Sequence, residues 1–413
     1  MQSMTQTATL SENDIAIAKS LVPALKEHGK EITTIFYATL FRDYPELLNI
    51  FNHNNQRAGL QQEALATAVY EAVANLDHLE NILPVVKHIA HKHCSLGVQP
   101  EHYPIVGEYL TMAVQQVLGE QATPEILSIW KRAYNVIADA FIQLEQEIYR
   151  QGTEQPGGWS GFKRFVVKRK EQEGEGLIAL YLEPEDGEAL PAYEPGQYVC
   201  VRAQIGKFHH LRQYSLTEAP GKKHFRIGVK REGQEGSHAG KVSSYLHEQA
   251  SQGDVLELSC PGGVFTLDHT SSRPVVLLGA GIGITPLLSM LYTLRERQPE
   301  RTVVLGYAVR NGEYHAFADE IAYLVRDNEQ VSATIFYEQP AVEDEQVGRF
   351  DRAGRIDAAW LQEQVSLDAE VYLCGPRGFM QGILTTLLKQ GLKPEQLHYE
   401  IFGPALAFTV PQE

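Results

Sequence analysis

The first 150 residues carry apolar positions at helical spacing. Ile32, Ile35, Phe36, Thr39 and Leu40 form one such stripe, and Val136, Ile137, Ala140, Phe141 and Leu144 another. Strand-like alternation is absent there. Ser11 followed by Asp14 reads as a helix start. The run Gly152-Thr153-Glu154-Gln155-Pro156-Gly157-Gly158 then reads as a turn-rich boundary. From Trp159 to about Leu267 the pattern changes to short β-rich runs broken by Gly and Pro, such as Phe165–Val167, Tyr198–Val201 and Phe225–Val229. After Arg273, apolar strands alternate with helices; Val275–Leu278, Val303–Tyr307 and Val371–Cys374 are candidate buried parallel strands. The expected fold class is therefore multidomain: an all-α region over 9–150, a linker over 151–160, an antiparallel β-barrel over 161–268, and an α/β region with a parallel sheet over 272–413. No internal repeat or low-complexity tract interrupts this order.

Composition narrows the chemistry. A length of 413 residues fits about three domains, and the 43% apolar content is ordinary for a globular chain. A formal charge of -16 argues against a nucleic-acid-binding face, which needs clustered Lys and Arg. The four cysteines, Cys94, Cys200, Cys260 and Cys374, are far apart, with no CxxC pair, which disfavours thiolate-bound zinc and iron–sulfur clusters. No apolar stretch approaches the roughly 18 residues of a membrane span, and residues 1–10 form a polar tail without signal-peptide character. The expectation is a cytoplasmic monomer with neither nucleic-acid partner nor membrane insertion.

Ordered motifs carry the candidate chemistry of the C-terminal regions. Gly279-Ala280-Gly281-Ile282-Gly283-Ile284-Thr285-Pro286 follows a strand and opens a helix, where glycines let backbone approach a pyrophosphate and free N–H groups face it. Pro286 replaces the third glycine of the common dinucleotide pattern and suits a helix's first turn. Arg212-Gln213-Tyr214-Ser215 ends a strand and offers a guanidinium for phosphate, a ring for stacking and a hydroxyl for hydrogen bonding. Pro195-Gly196-Gln197-Tyr198 precedes it. Gly240-Lys241-Val242-Ser243 opens a further helix, and Cys374-Gly375-Pro376 and Glu400-Ile401-Phe402-Gly403-Pro404 close the series. In this order the motifs resemble the ferredoxin-reductase-like flavoprotein module. The resemblance implies FAD held by Tyr198, Arg212, Gln213, Tyr214, Ser215, Val242, Ser243, Glu400, Phe402, Gly403 and Pro404. It implies NADH or NADPH bound by Gly279, Gly281, Gly283, Ile284, Thr285, Pro286, Cys374, Gly375 and Pro376. Cys374 reads as a packing group rather than a nucleophile, since no partner base is evident. Arg310, after the second strand of this region, is placed either to meet a 2′-phosphate or to lie in a solvated loop.

Among fifteen histidines, five lie between residues 78 and 102. On a helix opening at Leu83-Pro84, Val86, Ile89 and His93 share the apolar stripe, whereas His88 and His91 point elsewhere and read as solvated. Phase alone leaves His93 as either a core residue or a ligand. With Phe36-Tyr37, Phe51 and the run from Gln61 to Leu65 upstream, the region resembles a bacterial globin. Globin plus flavin–nicotinamide module is the flavohaemoglobin architecture, and the resemblance then covers the whole chain. It implies haem b with iron on His93, Phe51 at the helix corner, and Tyr37, Gln61 and Leu65 in the distal pocket. Gln61 and the adjacent Gln62 compete for that place by helix phase. It also implies Tyr103 and Glu145 beside the histidine, with Lys92 adjacent. Cys94-Ser95-Leu96-Gly97 departs from the family's usual sequence after the ligand. The implied activity is nitric oxide dioxygenation, with nicotinamide reducing FAD, FAD reducing haem, and nitric oxide and oxygen as substrates. A haem-based sensor or carrier, a flavin reductase for another acceptor, and a peroxidase-like enzyme are the alternative functions.

Overall fold

The structure is a computed structural model, which describes residues 10–51, 59–233, 240–326 and 328–403. Pro404 and the polar tail over 1–8 lie outside the described residues. The chain forms two compact units. One contains residues up to Gly152 together with Gly206–Leu211, and the other contains Thr153–Ile205 and Arg212–Gly403.

Up to Gly152 the described elements are helical: α1 (Glu12–Ser20), α2 (Val22–Asp43), α3 (Leu60–Ala74), α4 (Leu83–Leu96), α5 (His102–Leu118) and α6 (Pro124–Glu154, which runs two residues past that point). The Ser11 hydroxyl accepts from the Asp14 N–H (3.1 Å) and the Asp14 carboxylate accepts from the Ser11 N–H (3.0 Å), the reciprocal cap anticipated from sequence. On α2 the stripe Ile32, Phe36 and Leu40 is buried, joined by Tyr37. Helix α6 departs from expectation twice. It runs on through Glu154, so turn residues begin only at Gln155. Its fully buried positions are Ile129, Trp130, Ala133, Ala138 and Glu145, while Val136, Ile137, Ala140, Phe141 and Leu144 are half-buried. The apolar pattern located the inward side of α6 but not how deeply each residue sinks, because depth depends on which neighbour lies opposite.

The second unit holds two sheets. The strands β1 (Phe162–Gly174), β2 (Leu177–Pro184), β3 (Tyr198–Ile205), β4 (Phe208–Ser215), β5 (Phe225–Lys230) and β6 (Val255–Ser259) lie in the order β4-β3-β6-β1-β2-β5. β1 pairs antiparallel with β2 and β6, β2 with β5, and β3 with β6. An isolated bridge from Leu216, just past β4, to Ile227 in β5 joins the two ends of that order. Helix α7 (Lys241–Glu248) packs its Val242 and Leu246 into the barrel core beside Val201 and Val229. The second sheet, of β7 (Val275–Ala280), β8 (Val303–Val309), β9 (Val331–Tyr337), β10 (Arg352–Ala353), β11 (Glu370–Cys374) and β12 (Leu397–Glu400), is parallel in the order β10-β9-β8-β7-β11-β12. Its central strands are buried on both faces, as continuous apolar runs require. Helix α8 (Ile284–Arg297) covers one face, and Leu177, Ala179 and Tyr181 of β2 join the same core. No helix among the described residues is long and apolar enough to cross a membrane.

Candidate functional site

Helix α4 ends at Gly97, whose φ of 79° supplies the left-handed cap. Four residues earlier stands His93. Its Nδ1 lies 2.7 Å from Oε1 of Glu145 on α6 and 3.2 Å from the hydroxyl of Tyr103 on α5. The Tyr103 hydroxyl itself donates to the same carboxylate oxygen at 2.6 Å. A carboxylate only accepts, and the phenol's proton is committed to it. A proton on Nδ1 therefore satisfies both contacts, and this tautomer leaves Nε2 with its lone pair. The Glu145 side chain is 3% exposed against 33% for His93, so the carboxyl group is buried while the imidazole is partly exposed. Burial and Glu145 hold the Tyr103 phenol well above its ordinary range, which keeps it a donor. The Cys94 thiol is pushed up to about 12, first by burial and then by Glu145, so it is an inert neighbour. Phe141 lies 5.8 Å from the His93 ring centroid and 6.4 Å, stacked, from that of Tyr103. This donor set suits an iron axial ligand: one oriented imidazole with a buried carboxyl group behind it.

His88 and His91 are half-buried, not solvated as expected, and burial lowers the pKa of both. Among the described residues no group of three or more His, Cys, Asp or Glu converges to hold a metal ion by itself.

On the other candidate wall, Tyr37 is buried and meets Phe41 in a stacked contact at 5.5 Å and Phe51 edge-on at 5.5 Å. Leu65 packs against the same core. Gln61 lies one turn before Leu65, so the two share a face of α3. The neighbouring face of Gln62 is turned toward α2: the Gln62 carbonyl accepts from the Thr33 hydroxyl at 3.0 Å, and Ala66, one turn on, abuts Gly29. Helix phase thus favours Gln61 over Gln62 as the companion of Leu65. Lys92 is half-buried beside His93.

In the barrel, Arg212 and Tyr214 point to one side of β4 and Gln213 and Ser215 to the other. Burial lowers the pKa of Arg212 and raises that of Tyr214. Tyr198 is bridged to Gly262 through 2.9 and 3.0 Å backbone bonds, and a Cβ on Gly263 would come 3.0 Å from its ring. The first turn of α7 carries no side-chain cap, leaving N–H groups there for an anion, while Ser243 is buried with its hydroxyl donating to the Gly240 carbonyl at 3.0 Å.

In the parallel sheet, Gly279 of β7 pairs with Cys374 of β11, and Cys374 with Glu400 of β12. These three candidates, distant in sequence, form one row near the carboxyl ends of adjacent strands, where open α/β sheets bind ligands. A Cβ on Gly283 would lie 2.1 Å from the Cys374 carbonyl oxygen, and one on Gly375 would lie 2.9 Å from the Ala280 Cβ. The turn before α8 and the strand end at Cys374 therefore fit together only through glycines. Ile284, Thr285 and Pro286 are buried in the first turn of α8, and Tyr307 donates to the Gly281 carbonyl at 3.1 Å. Burial, with Glu400 adding to it, raises the Cys374 thiol well above its usual range, as befits a packing group. Pro376 caps helix α12 (Arg377–Lys389), which follows α9 (Ala318–Val325), α10 (Val342–Val347) and α11 (Ala358–Gln364) along the chain. Phe402 is 48% exposed and Gly403 is also exposed. Arg310 is exposed past β8, its guanidinium 6.0 Å from the Tyr314 ring centroid. Sequence reasoning did not single out Tyr134 or Tyr149, whose hydroxyls reach backbone carbonyls beside Tyr103 and His93. Their spacing with Glu145 along α6 was the available signal.

Family models match in the same order: Globin over residues 34–141, the oxidoreductase FAD-binding domain over 164–267 and the oxidoreductase NAD-binding domain over 277–385. A flavohemoprotein of Bacillus cereus is 49% identical over 399 residues, covering 96% of this chain and 99% of that protein. One from Bacillus subtilis is 45% identical over 403 residues, 97% of this chain and 99% of that one. The crystal structure of a flavohemoglobin from Malassezia yamatoensis with bound FAD and heme superposes with a TM-score of 0.84 at 28% identity, covering 95% of this chain and all of that one. With end-to-end likeness to such relatives and all three domain types in sequence order, the chain belongs to the flavohemoprotein family.

Proposed function

We propose that the chain is a nitric oxide dioxygenase in which NADH or NADPH reduces FAD and FAD reduces haem. The observation that carries this reading is the His93–Glu145–Tyr103 cluster in a globin domain on the same chain as a flavin–nicotinamide module. The FAD/NAD-binding domain of a nitric oxide dioxygenase from Vibrio cholerae is 36% identical, with a TM-score of 0.54 over 59% of this chain and 99% of that one, which further supports it. When bound, haem supplies an iron that takes oxygen, and FAD divides a hydride's electron pair into the single electrons that iron accepts.

The chain's residues do the rest. His93 would hold the iron through Nε2, and Glu145, accepting from Nδ1, would make the imidazole a stronger electron donor. Tyr103 fixes the carboxylate. Tyr37 would offer the bound gas a phenolic donor with Gln61 as a second, while Phe51 and Leu65 would exclude water. Arg212 would neutralise the flavin's phosphates, and the start of α7, at Val242 and Ser243, would offer them backbone N–H groups. Tyr198, Tyr214 and Phe402 would hold the flavin by aromatic packing, and Ser215 would offer it a hydroxyl hydrogen bond. Gly279 to Pro286 and Cys374 to Pro376 shape the nicotinamide site. Location in the cytoplasm and action as a monomer belong to the same reading.

Electron balance gives the test. One hydride carries two electrons, so it serves two nitric oxide molecules, each combining with one oxygen and one electron to give nitrate. Simultaneous assay of nucleotide oxidation and nitrate should return that ratio. Nucleotide oxidation that continues without nitrate formation would instead assign a reductase for another acceptor.

A further inference from the structure

Helix α6 touches the His93 cluster at more than Glu145. Tyr134, Phe141, Glu145 and Tyr149 recur at spacings of seven, four and four, which places all four on one side of the helix. Tyr149 lies one turn beyond Glu145. Its hydroxyl donates to the Val98 carbonyl at 2.8 Å and stands 3.3 Å from the Cys94 carbonyl. These acceptors belong to the terminal turn of α4 and its exit, where the Val98 N–H also closes back on the His93 carbonyl at 3.0 Å. At the other end, the Tyr134 hydroxyl donates to the Tyr103 carbonyl at 2.7 Å. The Tyr134 ring lies so close to α5 that a Cβ on Gly107, one turn after Tyr103, would sit 2.4 Å from ring carbon Cε1. Burial raises the pKa of both phenols, so both remain donors throughout the working range.

We infer that Tyr134 and Tyr149 are positioning residues for the proximal cluster: they fix the α4 and α5 backbones against α6, and so set the distance from Glu145 to His93 Nδ1 and to the Tyr103 hydroxyl. A charge-assisted hydrogen bond weakens steeply with misplacement. A helix end free to slide by a few tenths of an ångström therefore changes how much negative charge reaches the imidazole. Glu145 supplies the charge, and the two phenols supply its aim. This rests on His93 being the iron ligand.

The test uses the full-length, haem-loaded protein in its ferrous, ligand-free form, with the iron–histidine stretching band read by resonance Raman. Glu145→Gln should lower the band's frequency. Tyr149→Phe and Tyr134→Phe, each removing one hydroxyl, should shift it part of the way, and adding either to Glu145→Gln should cause no further shift. Gly107→Ala, which displaces the Tyr134 ring, should act in the same direction as Tyr134→Phe. If both phenylalanine variants keep the parent band, even with a lowered melting temperature, the tyrosines are merely structural and the inference fails. If Glu145→Gln also leaves the band in place, the ligand assignment itself fails. Should one phenylalanine variant not fold, the other reads the same effect from the opposite end of α6.

Discussion

At position 93 the Nδ1 of the imidazole faces a buried carboxylate and a phenol, and the proposed function gives Nε2 to iron. Replacing Glu145 by Gln keeps the shape but removes the charge, and nitric oxide turnover should fall about 10–100-fold, the usual cost of losing such a partner. Steady-state turnover of the variant, with haem content measured alongside, checks this. In the proposed role of Tyr37, Tyr37→Phe would remove one donated hydrogen bond of about 1 kcal/mol, so oxygen should leave the ferrous form about fivefold faster. Flash photolysis or stopped-flow displacement gives that rate, and an unchanged value would take Tyr37 out of the pocket. His93 was legible as a special residue because helix phase separated it from its neighbours. The half-burial of His88 and His91 was not legible, since it depends on what packs over that side of α4 rather than on their angle around it. The Glu145 contact was beyond reach of phase as well, and only the likeness to a globin family pointed to it.

Helices and strands explain why some positions admit glycine alone. A methyl group on Gly283 would meet the Cys374 carbonyl oxygen at 2.1 Å, so α8 would have to shift away from β11. Gly283→Ala should cost about 1–3 kcal/mol by overpacking and weaken nucleotide binding. Urea unfolding and a nicotinamide titration separate the two effects. In the loop leading to α9, His315 is buried with Nδ1 2.9 Å from the Tyr337 hydroxyl, and burial lowers its pKa from 6.5 to about 4. The folded state thus binds fewer protons than the unfolded one in this window. The stability from this site is complete above about pH 6.5 and falls as pH drops toward 4, by about 3 kcal/mol at most. Urea midpoints measured from pH 7 to pH 4 should show that slope, and His315→Asn should flatten it. The strands of this sheet were legible as apolar runs, and the Gly-rich turn as a break before a helix. The row joining Gly279, Cys374 and Glu400 was not, because strand order is set by pairing in space and not by position along the chain.

For the whole molecule, change of period along the chain was the strongest signal: helical spacing, then short β runs, then alternating strands and helices. That order is the one the structure has, with α6 carrying helix past the expected boundary to Glu154. The proposed function requires electrons to pass from flavin to haem. The most direct test is anaerobic rapid mixing of the haem- and FAD-loaded protein with NADH, following the flavin and haem bands together. The account predicts that flavin bleaches first, ferric haem is then reduced, and a second mix with oxygen and nitric oxide returns the ferric spectrum with nitrate formed. Flavin that bleaches while the haem band stays ferric would contradict it.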